Sequence, residues 1–198
     1  SALVSALMLT VFQSQLVYFL MHGRLWLMIA TFAELALVFV ASSMAAKNSP
    51  AALPVFLVYS VLNGFTLSFV VAFYTPGTVL SAFVSSALLF FVMAAIGIFT
   101  KKDLSGMGRA LMAALVGLII AMVVNLFLAN SFFDYMISIA MVLVFSGLIA
   151  WDNQKIRYVY EQSRGQVATG WVISMALSIY LDFINLFLSI LRIFGRND

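Results

Sequence analysis

Apolar runs of about 17–25 residues, each long enough for a helix to span roughly 30 Å of hydrocarbon, recur along this chain with only short polar links between them. Seven can be laid out, near residues 2–20, 25–46, 51–73, 79–99, 110–128, 135–151 and 171–194. The first is interrupted by Gln13, Ser14 and Gln15. Between the runs stand His22-Gly23-Arg24, Lys47-Asn48-Ser49-Pro50, Tyr74-Thr75-Pro76-Gly77, Thr100 to Arg109, Ala129 to Asp134 and the longer Asn153 to Gly170. Links this short make successive helices antiparallel neighbours and leave no room for a soluble domain. The expectation is an all-α membrane protein, a single integral domain over 1–198 built as a seven-transmembrane-helix bundle in the lipid bilayer. A composition 65% hydrophobic and 9% charged, with a mean hydropathy of +1.14, lies well outside that of soluble globular domains and agrees.

Ten basic residues against seven acidic ones give a net charge of +3. The bases are scattered through links and form no long run, so they report topology and not a nucleic-acid surface. With seven crossings, Lys47, Lys101, Lys102, Arg109, Lys155, Arg157 and Arg164 fall on one side, and Arg24, Arg192 and Arg196 on the other. The richer side is the cytoplasmic one, which puts the N-terminus in the cytoplasm and the C-terminus on the opposite face. A re-entrant last segment would sharpen that bias further, but residues 171–194 contain no Pro or Gly and read as one continuous helix. There is no cysteine and a single histidine, His22, which excludes disulfides, thiolate sites and histidine clusters. A bound metal would therefore be an oxygen-ligated ion such as calcium, and no resident cofactor is expected. The chain opens at Ser1 and is apolar from Ala2, with no signal-peptide pattern after the first run, so a preceding segment is expected to have been trimmed.

Of the seven acids, Asp103, Asp134, Glu161 and Asp198 fall in links or at the tail and read as solvated. Glu34, Asp152 and Asp182 lie within or at the end of apolar runs, where an ionised carboxylate costs at least about 2.5–3.5 kcal/mol unless paired, solvated in a cavity or protonated. Ser174, Ser178, Asp182, Asn185, Ser189 and Arg192 recur at helical spacing and form one polar stripe on the last run. The midpoint between positions 152 and 182 is residue 167, inside the Arg164 to Gly170 turn region. Two antiparallel helices leaving that turn bring both aspartates to similar height. Two carboxylates a few Å apart resist double ionisation and share a proton, which makes such a pair a pH switch. The plainer alternatives are that Asp152 caps its helix or faces water near Lys155 and Arg157, and that Asp182 is interhelical glue bonded to a neighbouring Ser or Asn. Glu34 either lines a cavity or donates one hydrogen bond as a neutral acid. Ser60, Asn63 and Thr66, with Gly64 beside them, form a second stripe, and Asn125 sits deep in the fifth run; both suit interhelical hydrogen bonds.

The segment from Ala176-Leu177-Ser178-Ile179-Tyr180-Leu181-Asp182-Phe183 through Ile184-Asn185-Leu186-Phe187-Leu188-Ser189 to Ile190-Leu191-Arg192-Ile193-Phe194-Gly195 closely resembles the C-terminal signature of the Bax inhibitor-1, or transmembrane Bax inhibitor motif, family. Tyr59-Ser60-Val61-Leu62-Asn63-Gly64-Phe65-Thr66-Leu67-Ser68, Thr100-Lys101-Lys102-Asp103-Leu104-Ser105-Gly106 and Trp151-Asp152-Asn153-Gln154-Lys155-Ile156 agree with it, the last where the family has Tyr-Asp-Thr-Gln. The resemblance spans residues 25 to 196 and implies a seven-helix bundle with the C-terminal helix central, acting as a pH-sensitive calcium leak in calcium homeostasis. It implies that Asp152 and Asp182 match the family's aspartate dyad, whose protonation switches the pore. They would line the ion pathway and supply calcium ligands, with Glu34, Asn63, Ser178 and Asn185 in support. It also implies a prokaryotic member in the inner (plasma) membrane. One departure stands out: well-studied members latch the sixth-helix aspartate with a second-helix arginine, and the aligned position here is Ala45, with Lys47 nearby.

The expected function is thus passive, pH-gated conduction of calcium or protons. A regulatory role, in which the bundle binds a membrane protease or another membrane protein, is the alternative. Aspartates on the last two runs also resemble those of presenilin-type intramembrane proteases, but those need Gly-x-Gly-Asp where this chain has Ile179-Tyr180-Leu181-Asp182, and no Pro-Ala-Leu segment follows. An enzyme is not expected.

Overall fold

In the computed structural model, which describes residues 1–12 and 24–197, every regular element among the described residues is helical. The helices are α1 (Ala2–Thr10), α2 (Arg24–Ala46), α3 (Ala52–Val71), α4 (Pro76–Phe99), α5 (Ser105–Leu128), α6 (Ser131–Gln162) and α7 (Thr169–Phe194), followed by a 3-10 turn over Gly195–Asn197. Among the described residues five, α3 to α7, are long and apolar enough to cross a membrane, and the described apolar stretch of α2 is Ala36–Ala46. Gln13, Ser14, Gln15, His22 and Asp198 lie outside the described residues, as do the side chains of Arg24 and Thr31.

The outward surface is that of a protein dissolved in lipid. Phe39, Phe73, Phe91 and Phe127 are exposed, Phe127 by 87%, whereas Ser68, Ser86 and Ser138 are fully buried. Hydrocarbon reverses the usual preference, because outside a bundle no water remains to take a hydroxyl's hydrogen bond.

Two groups of helices form. The first comprises Ser1–Thr75 with Ala168–Leu177. Within it α2 packs on α3, and α1 on α3. Ala45, Ala52 and Ile173 make a small buried cluster. A Cβ on Gly170 would strike the Ala45 carbonyl, so only glycine lets the start of α7 approach the end of α2. Asn48, in the left-handed region with φ 51°, presents its side-chain oxygen to the Gly170 N–H at 2.6 Å. The position where a latching arginine is expected is therefore a buried alanine at a close helix crossing.

The second group comprises Pro76–Val167 with Ser178–Asp198. Here α6 packs against both α4 and α5. From Val144 to Ala150 every residue of α6 is buried, as expected of a helix surrounded by others. Small residues make this possible: a Cβ on Gly97 would meet the Ala150 backbone, and Gly108 lies against the Trp151 ring. Phe83 and Phe90 meet Phe183 edge to face at 6.0 and 5.6 Å, which fastens α4 to α7.

The helix ends differ from the expected links in several places, and two of these bear on the residues below. First, α6 does not stop near Asp152 but continues through Gln162, its 32 residues spanning about 48 Å. Asn153 to Gln162 contains no Gly or Pro, and Arg157 pairs with Glu161 one turn on at 2.7 Å. The helix ends only where Arg164 and Gly165 adopt φ of 52° and 81°. Asp152 therefore lies within α6 and does not cap it. Second, α5 begins at Ser105, inside the expected Thr100 to Arg109 link. The Asp103 carboxylate accepts the Ser105 N–H at 2.8 Å and the Ser105 hydroxyl at 2.9 Å just ahead of the helix.

Replacing Gly97 by leucine forces α4 away from α6 and lowers stability by about 1–3 kcal/mol or more, read as a fall in the thermal midpoint of the detergent-solubilised protein. Gly117→Leu on α5, where an added Cβ meets nothing within 4 Å, leaves that midpoint in place. Asp103 gives a second test. Its hydrogen bonds to the Ser105 N–H and hydroxyl, aided by the Arg109 charge, hold its carboxyl below the ordinary carboxylate range. A lowered value means the contact is intact at neutral pH and is lost only as pH falls through the depressed value. A carboxyl-carbon NMR titration should find that low midpoint, and Ser105→Ala should return it part of the way.

Candidate functional site

Asp152 on α6 and Asp182 on α7 are both buried, 4% and 6% exposed. Asp152 accepts a hydrogen bond from the Ser178 hydroxyl, one turn before Asp182 on α7. Among the described residues Lys155, one turn further along the same helix, brings a positive charge to bear on Asp152. The charge of Asp152 in turn bears on Asp182. Asp182 is the less satisfied of the two: its Oδ2 is buried and has no hydrogen-bond partner among the described residues. Leaving a buried charged oxygen unpaired costs more than the roughly 1–3 kcal/mol of a neutral group, so a proton, a cation or water is needed there.

The rest of the stripe on α7 divides. Asn185 donates to the Leu181 carbonyl at 2.8 Å and Ser189 to the Asn185 carbonyl at 2.7 Å, each returning its hydrogen bond to its own helix. Among the described residues no hydrogen bond runs from Asn185 to either aspartate. Asn185 does line a cavity of about 690 Å³ with Ser178, Leu181, Asp182 and Arg192 of α7, and Met141, Phe145 and Leu148 of α6. The third wall is α5, through Met112, Leu115, Ile119 and Val123. From Ser178 to Arg192 the cavity follows about 21 Å of helix. Its polar lining comprises Ser178, Asp182, Asn185 and Arg192 of α7, Asn125 of α5 and Asp134 of α6.

Asp134 belongs to this site although its sequence position read as a solvated link. It stands in the first turn of α6, half buried, because Asn130 caps that helix by accepting the Phe133 N–H at 3.0 Å. The signal available in sequence was Asn130 four residues ahead of Asp134, a cap followed by an acid in the first turn. Asn125 is buried near the end of α5 and accepts the Asn130 N–H at 3.3 Å, so it braces the turn between α5 and α6. The apolar wall on α5 carries no signal that separates it from lipid-facing residues.

Glu34 belongs to the first group and is not one of the residues that line this cavity. It accepts hydrogen bonds from Asn63 at 3.3 Å and from the Thr66 hydroxyl, both on α3. Two donors on a facing helix are what a carboxylate in hydrocarbon requires, and they join α2 to α3.

Calcium takes six to eight oxygen ligands. Among the described residues no three His, Cys, Asp or Glu side chains come together as a metal site. Asp152 and Asp182 are thus not joined by a third acid or a histidine into a metal-binding group among the described residues.

A family model described as inhibitor of apoptosis-promoting Bax1 matches residues 1–198. An uncharacterized membrane protein of Streptococcus pyogenes serotype M1 is 56% identical over 198 residues, covering 100% of this chain and 86% of its own. The Lactococcus lactis protein YrjE is 47% identical over 98% of this chain and 83% of its own. The Escherichia coli K12 inner membrane protein YbhL is 40% identical over 89% of this chain and 77% of its own. A match along the whole chain, joined to three bacterial relatives of this closeness, means that the chain belongs to the Bax inhibitor-1 family.

Proposed function

We propose that this protein is a passive, pH-sensitive leak for cations, calcium first among them, in which Asp152 and Asp182 act together as the gate. The observation that carries the reading is the unpartnered, buried Asp182 oxygen in a cavity whose far end holds Asn125, Asp134 and Arg192. The chain is read as seven crossings with the last helix central, the N-terminus in the cytoplasm, and the Arg192 end of the cavity on the opposite face.

In this reading the cavity is the outer half of the pathway and the two aspartates close its inner end. Ionised, they offer hard oxygens and negative potential to a partly hydrated cation. Carrying one proton between them, they no longer repel each other and keep a single negative charge, so they attract the ion less and α6 and α7 pack together at that level. Ser178 steadies Asp152 from α7, and Lys155 supplies the positive charge that an arginine on the second helix would otherwise bring. Calcium is cargo here, and protons are the gating ligand.

Calcium and proton flux into proteoliposomes, followed with entrapped dyes across pH, tests the gate. A one-proton switch changes the open population by up to about tenfold per pH unit, and Asp182→Asn or Asp152→Asn should flatten that profile to less than about twofold. An unchanged pH profile in both variants would sink the proposal. Asp134→Asn, at the mouth, should lower calcium flux at every pH and leave the shape of the profile intact; a changed shape would place Asp134 in the gate itself.

A further inference from the structure

The Thr100-Lys101-Lys102-Asp103-Leu104-Ser105-Gly106 segment lies outside the cavity that holds Asp182, yet it is pinned by side chains of α6. Gln154 of α6 accepts the Leu104 N–H at 2.8 Å and donates to the Lys102 carbonyl at 2.7 Å. One amide side chain thus pins both sides of the loop. Arg157, one turn further along α6, donates to the Ile98 carbonyl at the end of α4. These bonds wall a cavity of about 760 Å³ lined by Lys101, Lys102, Trp151, Lys155, Arg157 and Tyr158, together with Asp103 and Glu161.

The charges in this cavity are unequally committed. Asp103 is spent on the Ser105 N–H and hydroxyl, and Glu161 on Arg157. Lys155 lies over the Trp151 ring, its nitrogen 5.5 Å from the centroid. Lys101 and Lys102 are exposed and, among the described residues, have no carboxylate partner. What remains for a ligand is a cluster of ammonium groups around an aromatic floor, a combination that takes a compact anion with several acceptor oxygens.

We propose that this cavity is a binding site for a phosphate group, filled by the headgroup of an anionic phospholipid. Its position favours the lipid over a soluble phosphate. The apolar run of α4 ends at Phe99, 78% exposed, and Met107 of α5 is exposed beside the loop, so an acyl chain can follow these side chains away from the cavity. Tyr158, 60% exposed, adds an aromatic at the same level, as at membrane interfaces. Basic pockets at helix ends take anionic headgroups on these terms. The site uses neither Asp152 nor Asp182 and shares only Lys155 with the proposed gate, so Lys101 and Lys102 test it apart from the gate.

The test is native mass spectrometry of the purified full chain in detergent with equimolar phosphatidylglycerol and phosphatidylcholine, with and without inorganic phosphate at the same concentration as each lipid. The wild type should retain phosphatidylglycerol in preference to phosphatidylcholine. The double variant Lys101→Gln/Lys102→Gln should weaken it by about fivefold per lysine, about 25-fold in all. Both lysines are exposed, so the variant should keep its thermal midpoint, and Lys155→Gln should weaken the same lipid independently. No preference for phosphatidylglycerol, or full retention by the double variant, overturns the site. Inorganic phosphate that displaces the lipid at equal concentration overturns the lipid assignment and gives the site to a soluble phosphate.

Discussion

Hydrocarbon offers no hydrogen bonds, and nearly every polar detail of this protein follows from that. Backbone groups are met by making helices, which explains the all-helical character. Polar side chains then have two ways out. Most turn back on their own helix: Ser86 to Ala82, Ser138 to Asp134, Ser146 to Val142, Asn153 to Ile149 and Ser189 to Asn185 all donate to the carbonyl four residues earlier. Carboxylates cannot do so, because an ionised acid only accepts, and the backbone N–H groups beside it are already used within the helix. Glu34 is served by Asn63 and Thr66, and Asp152 by Ser178. Asp182 has an oxygen left over among the described residues.

The same division decides what could be read from sequence. A membrane-crossing helix is signalled by the sum of some 20 residues, so the all-helical apolar character was legible without any single position mattering. The continuous helix Thr169–Phe194 was legible too, because no Pro or Gly breaks residues 171–194. Helix ends were less so. Asn153–Gln162 is polar enough to read as a link, yet polarity marks where hydrocarbon stops and not where the helix stops; the backbone obeys propensity and the Arg157–Glu161 pair. Asp134 was misplaced for a related reason, since one capping residue, Asn130, moves it from a link into a helical turn.

Side-chain destinations were the least legible. Ser178 and Asn185 occupy equivalent places on one stripe, before and after Asp182, and nothing in their spacing says that one bonds across to α6 and the other back to Leu181. That choice is made by how closely α6 approaches at each level. Ala45 shows the converse: its departure from the arginine of the family pattern was visible at once, but its meaning was not. It is small because the start of α7 crosses there against Gly170, a packing demand that an arginine could not meet.

Four consecutive residues of α6 connect the acids to the basic cavity. Trp151 packs against Gly108 and lies beneath Lys155, Asp152 receives Ser178, Asn153 returns to Ile149, and Gln154 holds the Lys101–Leu104 loop by two hydrogen bonds. All four sit on unbroken α-helix. A helix moves as a rigid body over so short a length, so α6 cannot rotate or slide at Asp152 without carrying Trp151 and Gln154 with it. Breaking the two Gln154 bonds costs about 1–3 kcal/mol, comparable to the electrostatic energies at stake between carboxylates. Any rearrangement of α6 around its acid is therefore resisted by the loop that Gln154 pins, and a ligand that stiffens that loop raises the resistance. The acid and the basic loop are thus linked through one unbroken stretch of α6.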